Sequence, residues 1–183
     1  MKQHILTEVF RFAIEAHKGQ KRKYTGEDYI VHPMAVCRIV EREGGSEDQQ
    51  AAALLHDVVE DTAYTLQDIS VNFGSDIATL VQWLTDTSVP EDGNRTIRKE
   101  IDRKRLAEAP AEAQLVKLAD MIDNSRTIFA FDKGFTPVFK EEMGLLVKAM
   151  TKVHGTPLHI EAKKVLKDGN MEPENYSLRR SEV

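Results

Sequence analysis

Apolar residues recur at intervals of three and four positions along most of this chain, and that spacing limits the fold to packed helices. The first such run comprises Ile5, Leu6, Val9, Phe10, Ala13 and Ala16. This spacing places apolar side chains on one face of an α-helix. No segment alternates apolar and polar residues between hairpin turn signals, as antiparallel strands do. The sequence therefore predicts an all-α fold, a bundle of about eight helices.

Helix ends are marked by glycine, proline and capping residues. Ser46 and Gln49 have the capping-box pattern, and Pro33 suits the first turn of a helix. The helix that begins after Ser46 is predicted to continue through an apolar run to about Glu60. A charged helix over about 97–109 and an apolar one over about 111–129 follow later in the chain.

Length and composition favour one folded domain. The chain has 183 residues, of which 41% are apolar and 30% charged, enough to bury a core and cover a surface. We expect a single domain over residues 1–168 and a polar tail over 169–183. The net charge of −5 disfavours a protein that coats nucleic acid or an anionic membrane.

The sequence predicts a cytoplasmic protein without a membrane segment. Its longest purely apolar run, Ala51 to Leu55, is far shorter than the roughly 20 residues needed to cross a bilayer. Residues 1–17 lack the continuous apolar stretch of a secretory signal. The single cysteine, Cys37, has apolar neighbours, which favours a packing role over a reactive thiol.

Candidate chemistry begins directly after that apolar run, in the sequence LLHDVVED. On a continuous helix, one side would carry His56, Asp57, Glu60 and Asp61. Burying these carboxylates without a cation would cost on the order of several kcal/mol per charge, and a metal ion would remove that cost. The alternative is a solvated acidic helix end, with His56 as an ordinary core histidine.

Two residues elsewhere in the chain strengthen the metal hypothesis. Asp120 lies in the middle of an apolar helix, where a carboxylate has no structural purpose. His32 lies just before Pro33, at the start of another helix. Two imidazoles and two carboxylates from separate helices make a plausible mixed nitrogen and oxygen site, with room for water or substrate.

These residues resemble the motifs of a known family. The His32-Pro33 pair, the His56-Asp57 pair and Asp120 resemble the metal-binding signature of the HD superfamily of metal-dependent phosphohydrolases. Three longer segments resemble the alarmone hydrolase domain of the RelA/SpoT family: YIVHP at 29–33, AALLHDVVEDT at 52–62, and VKLAD at 116–120 with Asn124 and Arg126-Thr127. The resemblance runs from about residue 9 to 128.

The resemblance implies an HD-domain helical bundle and a specific activity. That family removes the 3′-pyrophosphate from guanosine tetra- and pentaphosphate with one bound Mn²⁺. By this resemblance, the metal ligands are His32, His56, Asp57 and Asp120. Glu60 and Asp61 match the pair that positions and deprotonates the attacking water. Substrate contacts are implied for Arg22, Lys23 and Asn124.

Two basic segments have alternative interpretations. The loop with Lys18, Lys21, Arg22 and Lys23 suits a polyphosphate clamp, and the alternative is a solvated basic loop. The second segment, residues 95–105, mixes basic and acidic residues around a helix. It favours a solvated face over contact with substrate phosphates.

Departures from the family pattern leave the substrate open. Asp86 follows Thr85 where many members have lysine, Met121 follows Asp120 where a basic residue is common, and Asp123 replaces a common His or Tyr. The same site could act on another nucleotide phosphate, such as the 2′-phosphate of NADPH or a nucleoside monophosphate. A non-catalytic nucleotide sensor is the third hypothesis. Zn²⁺ and Mg²⁺ are less favoured than Mn²⁺, and no oligomeric state is predicted.

Overall fold

The computed structural model describes residues 3–169, which form α-helices joined by short loops. The ten α-helices are α1 (Gln3–Ala16), α2 (Val31–Arg42), α3 (Glu47–Leu55), α4 (Val58–Asp61), α5 (Leu66–Phe73), α6 (Ser75–Leu84), α7 (Arg95–Glu108), α8 (Ala111–Phe131), α9 (Thr136–Ala149) and α10 (Pro157–Asp168). Two 3₁₀ helices cover Pro90–Asp92 and Thr151–Val153. Between residues 3 and 169 there is no strand, only an isolated bridge between Lys21 and Asp28. The predicted all-α fold is confirmed.

Local capping signals fix several helix ends. The Ser46 hydroxyl accepts the Gln49 N–H at 3.3 Å, while the Gln49 side chain accepts the Ser46 N–H at 2.8 Å, so the predicted capping box is present. Gly169 ends α10 in the left-handed region, with φ of 58°, a conformation that glycine adopts without steric cost. The remainder of the predicted polar tail lies outside the described residues. Within residues 3–169, no helix is both long enough and apolar enough to cross a membrane.

The long helix α8 forms the centre of the bundle. It contacts α2, α3, α6, α9 and α10, so most of its side chains face other helices. Leu118, Ala119 and Ile122 are core residues, and Asp120 and Asp123 are buried beside them with 5% exposure each. A buried carboxylate requires a hydrogen-bonding or charged partner. Imidazoles from other parts of the bundle contact these two carboxylates, and so do three side chains of α8 itself, those of Lys117, Asn124 and Arg126.

The predicted continuous helix from Ser46 to Glu60 is wrong at one point. Helix α3 ends at Leu55, and the single turn of α4 begins at Val58. The Nδ1 atom of His56 hydrogen-bonds to the Ala53 carbonyl at 2.9 Å. In a continuous helix that carbonyl would accept the N–H of Asp57. The backbone of His56 and Asp57 stays in the right-handed helical region, so the chain continues from α3 into α4 in the same sense.

Candidate active site

Four polar side chains from three parts of the bundle converge on one buried point. His32 comes from α2, His56 and Asp57 from the turn between α3 and α4, and Asp120 from α8. Ligand atoms of His32, His56 and Asp57 all lie within 4.8 Å of one another. The Asp120 Oδ1 atom lies 3.2 Å from Nε2 of His32 and 3.7 Å from Nε2 of His56. The structure thus brings together the four residues predicted to bind metal.

Both imidazoles direct Nε2 toward the carboxylates of the cluster. The Nδ1 atom of His32 lies 2.7 Å from Oδ2 of Asp123, and that of His56 bonds the Ala53 carbonyl. Each Nδ1 therefore has an acceptor, which leaves Nε2 to face the cluster with its lone pair. Nε2 of His56 is buried and has no hydrogen-bond partner. Such an orphaned atom between two carboxylates fits a divalent cation.

Electrostatics at this point also favour a positive charge. Burial opposes protonation of His56, but the charge of Asp57 and the Asp120 side chain outweigh burial and raise the His56 pKa well above its ordinary value. Burial acts against the Asp57 carboxylate, yet the adjacent imidazoles lower its pKa. The charges that favour a proton on these imidazoles would equally favour a bound cation. Protons and metal ions compete for such a site, so metal affinity increases with pH.

Two residues that orient the cluster were not foreseen from the sequence. The Tyr29 hydroxyl donates a hydrogen bond to Asp57 Oδ2 at 2.7 Å, and Asp123 accepts a hydrogen bond from the His32 imidazole. Arg126 lies 3.3 Å from the other oxygen of Asp123. Asp123 is three positions from Asp120, a spacing that places both on one face of α8. Two signals in the sequence could have identified Asp123. One is this spacing, and the other is that a histidine that binds metal needs an acceptor at its second ring nitrogen.

The predicted catalytic pair lies at the end of the short helix α4. The Glu60 carboxylate accepts the Asp86 N–H at 2.6 Å, and the Asp61 carbonyl accepts the Gln20 amide at 2.7 Å. Burial raises the pKa of Glu60. Burial and the charge of Asp57 raise the pKa of Asp61. Both carboxyl groups are therefore stronger proton acceptors than exposed ones and lie directly after the cluster in the chain.

The predicted substrate residues separate into two environments. Arg22 donates to the Asn124 side-chain oxygen at 3.1 Å, and the Asn124 amide donates to Asp120 Oδ1 at 2.6 Å. A chain of hydrogen bonds thus links Arg22 to the cluster. Lys23 lies elsewhere, with its ammonium near the Tyr24 hydroxyl and Asp132, and its side chain is 75% exposed. The structure brings Arg22 and Asn124 together at the site, but not Lys23.

A cavity of about 420 Å³ lies between α7, α8 and α9 and reaches the cluster at Asp120. Asp120, Lys117 and Asn124 line its inner end, and Met121, Phe139 and Leu146 line an apolar wall. Small-molecule sites commonly have volumes of roughly 300–1,000 Å³. The cavity is therefore large enough for a small molecule beside the residues predicted to bind metal.

The basic helix α7 does not form a uniformly solvated face. Arg95, Lys99, Arg103 and Arg105 all line the cavity. Arg105 also donates to the carbonyls of Gln82, Trp83 and Thr85 at the end of α6. Lys99 pairs with Asp86 at 2.7 Å. Only the outward side fits the predicted solvated face, where exposed Lys104 pairs with Glu100.

Comparison with known proteins identifies the family. The HD-domain family model matches residues 10–146, most of the chain. The chain belongs to the HD-domain family, as the motif residues predicted.

Three individual relatives are all named as guanosine-3′,5′-bis(diphosphate) 3′-pyrophosphohydrolases. Guanosine-3′,5′-bis(diphosphate) 3′-pyrophosphohydrolase MESH1 of Xenopus tropicalis is 41% identical over 132 residues, which cover 68% of this chain and 69% of that protein. The human protein of the same name is 41% identical over 131 residues, with 67% and 69% coverage. A guanosine-3′,5′-bis(diphosphate) 3′-pyrophosphohydrolase of Aquifex aeolicus is 36% identical over 124 residues, but the match spans only 17% of its length.

Two solved structures are similar to this chain in fold. The structure of a metazoan ortholog of SpoT, described as hydrolysing ppGpp, superposes with a TM-score of 0.76 and 27% identity, covering 90% of this chain and 95% of that one. A protein from Listeria monocytogenes superposes with a TM-score of 0.65 and 29% identity, covering 79% and 97%. The predicted resemblance to the RelA/SpoT hydrolase domain is confirmed.

Proposed function

We propose that this protein hydrolyses guanosine 3′,5′-bis(diphosphate), releasing the 3′-pyrophosphate and leaving GDP. The observation that carries the proposal is the buried cluster in which both imidazoles direct Nε2 toward Asp57 and Asp120. The MESH1 relatives are named for this reaction, and their match to this chain covers 69% of their length, which supports the same activity here. We expect this enzyme in the cytoplasm.

The proposed ligands of one divalent cation are His32, His56, Asp57 and Asp120. When bound, such a cation polarises the phosphate and lowers the pKa of water beside it. Two imidazoles and two carboxylates suit Mn²⁺, which accepts nitrogen and oxygen donors and keeps positions open for water and substrate. Zn²⁺ and Mg²⁺ are the alternatives that the experiment below separates.

Glu60 and Asp61 act as the proton acceptors in this proposal. Hydrolysis requires a water molecule to be oriented toward phosphorus and to lose a proton during attack. The two carboxyl groups lie one residue apart at the end of α4, and burial raises the pKa of each. A raised pKa brings a carboxylate nearer to the working pH, where proton transfer is most efficient.

The nucleotide occupies the cavity beside the cluster. Arg22 supplies a planar guanidinium for the guanine and phosphates, and Asn124 lies on the ribose side. The apolar wall with Met121 and Phe139 accommodates uncharged parts of the substrate. Lys23 reaches the substrate only by leaving Tyr24 and Asp132, so we assign it a lesser part than Arg22.

The test is pyrophosphate release from guanosine 3′,5′-bis(diphosphate) by metal-stripped protein, with Mn²⁺, Mg²⁺ or Zn²⁺ added back. We expect release that requires Mn²⁺ and is lost in the Asp57→Asn variant. NADPH and nucleoside monophosphates serve as competing substrates in the same assay. A higher kcat/KM for one of them would replace the proposed substrate, and tight alarmone binding without phosphate release would indicate a sensor.

A further inference from the structure

The side chain of Lys117 has no part in the function described so far, although it belongs to the VKLAD motif beside the cluster. Its ammonium lies 2.9 Å from Asp120 Oδ2. The other oxygen of Asp120 faces His32 and His56. The Asp120 carboxylate therefore lies between the Lys117 ammonium and the point where the four proposed ligands converge.

Lys117 also contacts the space in which the substrate would bind. Both Lys117 and Asp120 line the inner end of the cavity, next to Asn124. The side chain is 23% exposed, although it comes from the central helix α8.

Several acidic side chains surround this lysine. Asp120 pairs with it directly, and Asp86 lines the same cavity. A lysine side chain is a cation at neutral pH. A fixed positive charge beside a phosphate site, largely shielded from water, stabilises negative charge more strongly than an exposed lysine does.

We propose that Lys117 is a catalytic residue, whose ammonium contacts non-bridging oxygens of the 3′-pyrophosphate while it is being displaced. This inference rests on the proposed hydrolase function. The water oxygen forms a bond to the phosphorus attached to the ribose 3′-oxygen, and the bond from that phosphorus to the 3′-oxygen breaks. The water proton passes to the Glu60–Asp61 pair, and the 3′-oxygen takes a proton from solvent. Lys117 transfers no proton and stabilises the charge on the pyrophosphate.

A second explanation is that Lys117 only neutralises Asp120 within the fold. The two explanations differ in what they predict for inorganic pyrophosphate, the released product. A contact with the product makes Lys117→Gln weaken pyrophosphate binding, whereas a purely structural charge leaves that binding unchanged. Inhibition by pyrophosphate and by GDP therefore separates them.

The first experiment compares Lys117→Gln and Lys117→Arg with Lys104→Gln on the outer side of α7. We expect Lys117→Gln to lower kcat by at least about 100-fold. We expect it to raise the inhibition constant of pyrophosphate at least about tenfold, with the constant of GDP unchanged. Lys117→Arg should recover part of the loss, Lys104→Gln should match the parent protein, and Mn²⁺ affinity should not weaken. An unchanged pyrophosphate constant in Lys117→Gln would overturn the proposal.

A chemical rescue keeps the proposal testable if substitution disturbs folding. The sequence contains one cysteine, so Lys117→Cys in a Cys37→Ala background provides a single thiol. Alkylation with 2-bromoethylamine restores an ammonium at nearly the lysine position, and iodoacetamide adds a neutral group of similar size. Rescue by the first reagent alone supports the proposal, and equal effects of both contradict it.

Failure of this inference is distinguishable from failure of the proposed function. If the parent protein releases no pyrophosphate from the alarmone, the hydrolase function itself fails. If the parent protein is active and Lys117→Gln retains both its kcat and its pyrophosphate inhibition, only the role of Lys117 is rejected.

Discussion

At the scale of single residues, the orientation of each candidate ligand depends on one neighbour. The Tyr29 hydroxyl donates a hydrogen bond to Asp57. The His32 imidazole hydrogen-bonds to Asp123, and the His56 imidazole hydrogen-bonds to the Ala53 carbonyl. Such partners hold ligands in place and increase their affinity for the metal. Removing one of them should therefore weaken metal binding without removing a ligand.

We predict that Tyr29→Phe lowers Mn²⁺ affinity by about 10–100-fold, because Asp57 loses the hydrogen bond that orients it. The measurement is a Mn²⁺ titration of metal-stripped protein by calorimetry. Tyr24→Phe is the matched control, since the Tyr24 hydroxyl bonds to Asp132 outside the cluster. Equal affinities for Tyr29→Phe and the parent protein would contradict an orienting role.

The proposed catalytic carboxylates give a second prediction at this scale. Glu60→Gln and Asp61→Asn preserve size and most hydrogen bonds but remove the proton acceptor. We expect either change to lower kcat by about 10²–10⁴-fold while Mn²⁺ binding is retained. Single-turnover assays at saturating substrate measure the effect. Normal turnover in the double variant would exclude both residues from the roles proposed for them.

The sequence indicated which residue types meet, but not what orients them. Histidine, aspartate and proline in short motifs predicted all four members of the cluster. Tyr29 and Asp123 were missed because their roles arise only when segments distant in sequence come together. Tyr29 and Asp57, for example, are 28 positions apart, and His32 and Asp123 are 91 apart.

At the scale of elements, helical periodicity located the helices but misjudged one interruption. At the interruption after Leu55, the His56 side chain hydrogen-bonds to the Ala53 carbonyl. Apolar spacing contains no information on such a bond, because it reports only which face is buried. Likewise, the charge pattern of α7 could not reveal that Arg105 binds the end of α6.

The loop between α6 and α7 gives a prediction on pH. Asp102 of α7 accepts the N–H groups of Thr87 and Ser88, both at 3.0 Å, and the Ser88 hydroxyl at 2.6 Å. Burial acts against the Asp102 carboxylate, but these hydrogen bonds outweigh burial and lower its pKa below the ordinary 3.8. The resulting stabilisation is present above that value and is lost as the pH falls through the lowered pKa.

We therefore expect Asp102→Asn to lower the free energy of unfolding at pH 7, with a difference from the parent protein that shrinks as the pH falls below 3.8. Urea titrations across this pH range measure both quantities. Asp76→Asn, at an exposed position of α6, is the control. A difference that stayed constant down to the lowest pH would contradict the assigned hydrogen bonds.

At the scale of the whole molecule, the proposed metal would connect α2, α8 and the turn after α3. A ligand that binds only the folded state stabilises it by about 2.7 kcal/mol at 100 times its dissociation constant. We predict that Mn²⁺ at this concentration raises the Tm by about 5–10 °C over chelator-treated protein. Thermal unfolding with EDTA or Mn²⁺ measures the shift.

The control for this prediction is Asp57→Asn, which removes one proposed ligand. We expect its Tm to respond much less to Mn²⁺ than that of the parent protein. An equal increase in both proteins would place the stabilising ion elsewhere on the molecule.

The hydrogen-bond chain from Arg22 through Asn124 to Asp120 has a thermodynamic consequence. The Asn124 amide accepts from a guanidinium on one side and donates to a carboxylate on the other, so it cannot rotate without breaking both bonds. A nucleotide at Arg22 and a cation at Asp120 therefore share one rigid intermediary. If the bound nucleotide changes the affinity for the cation by some factor, the bound cation must change the affinity for the nucleotide by the same factor.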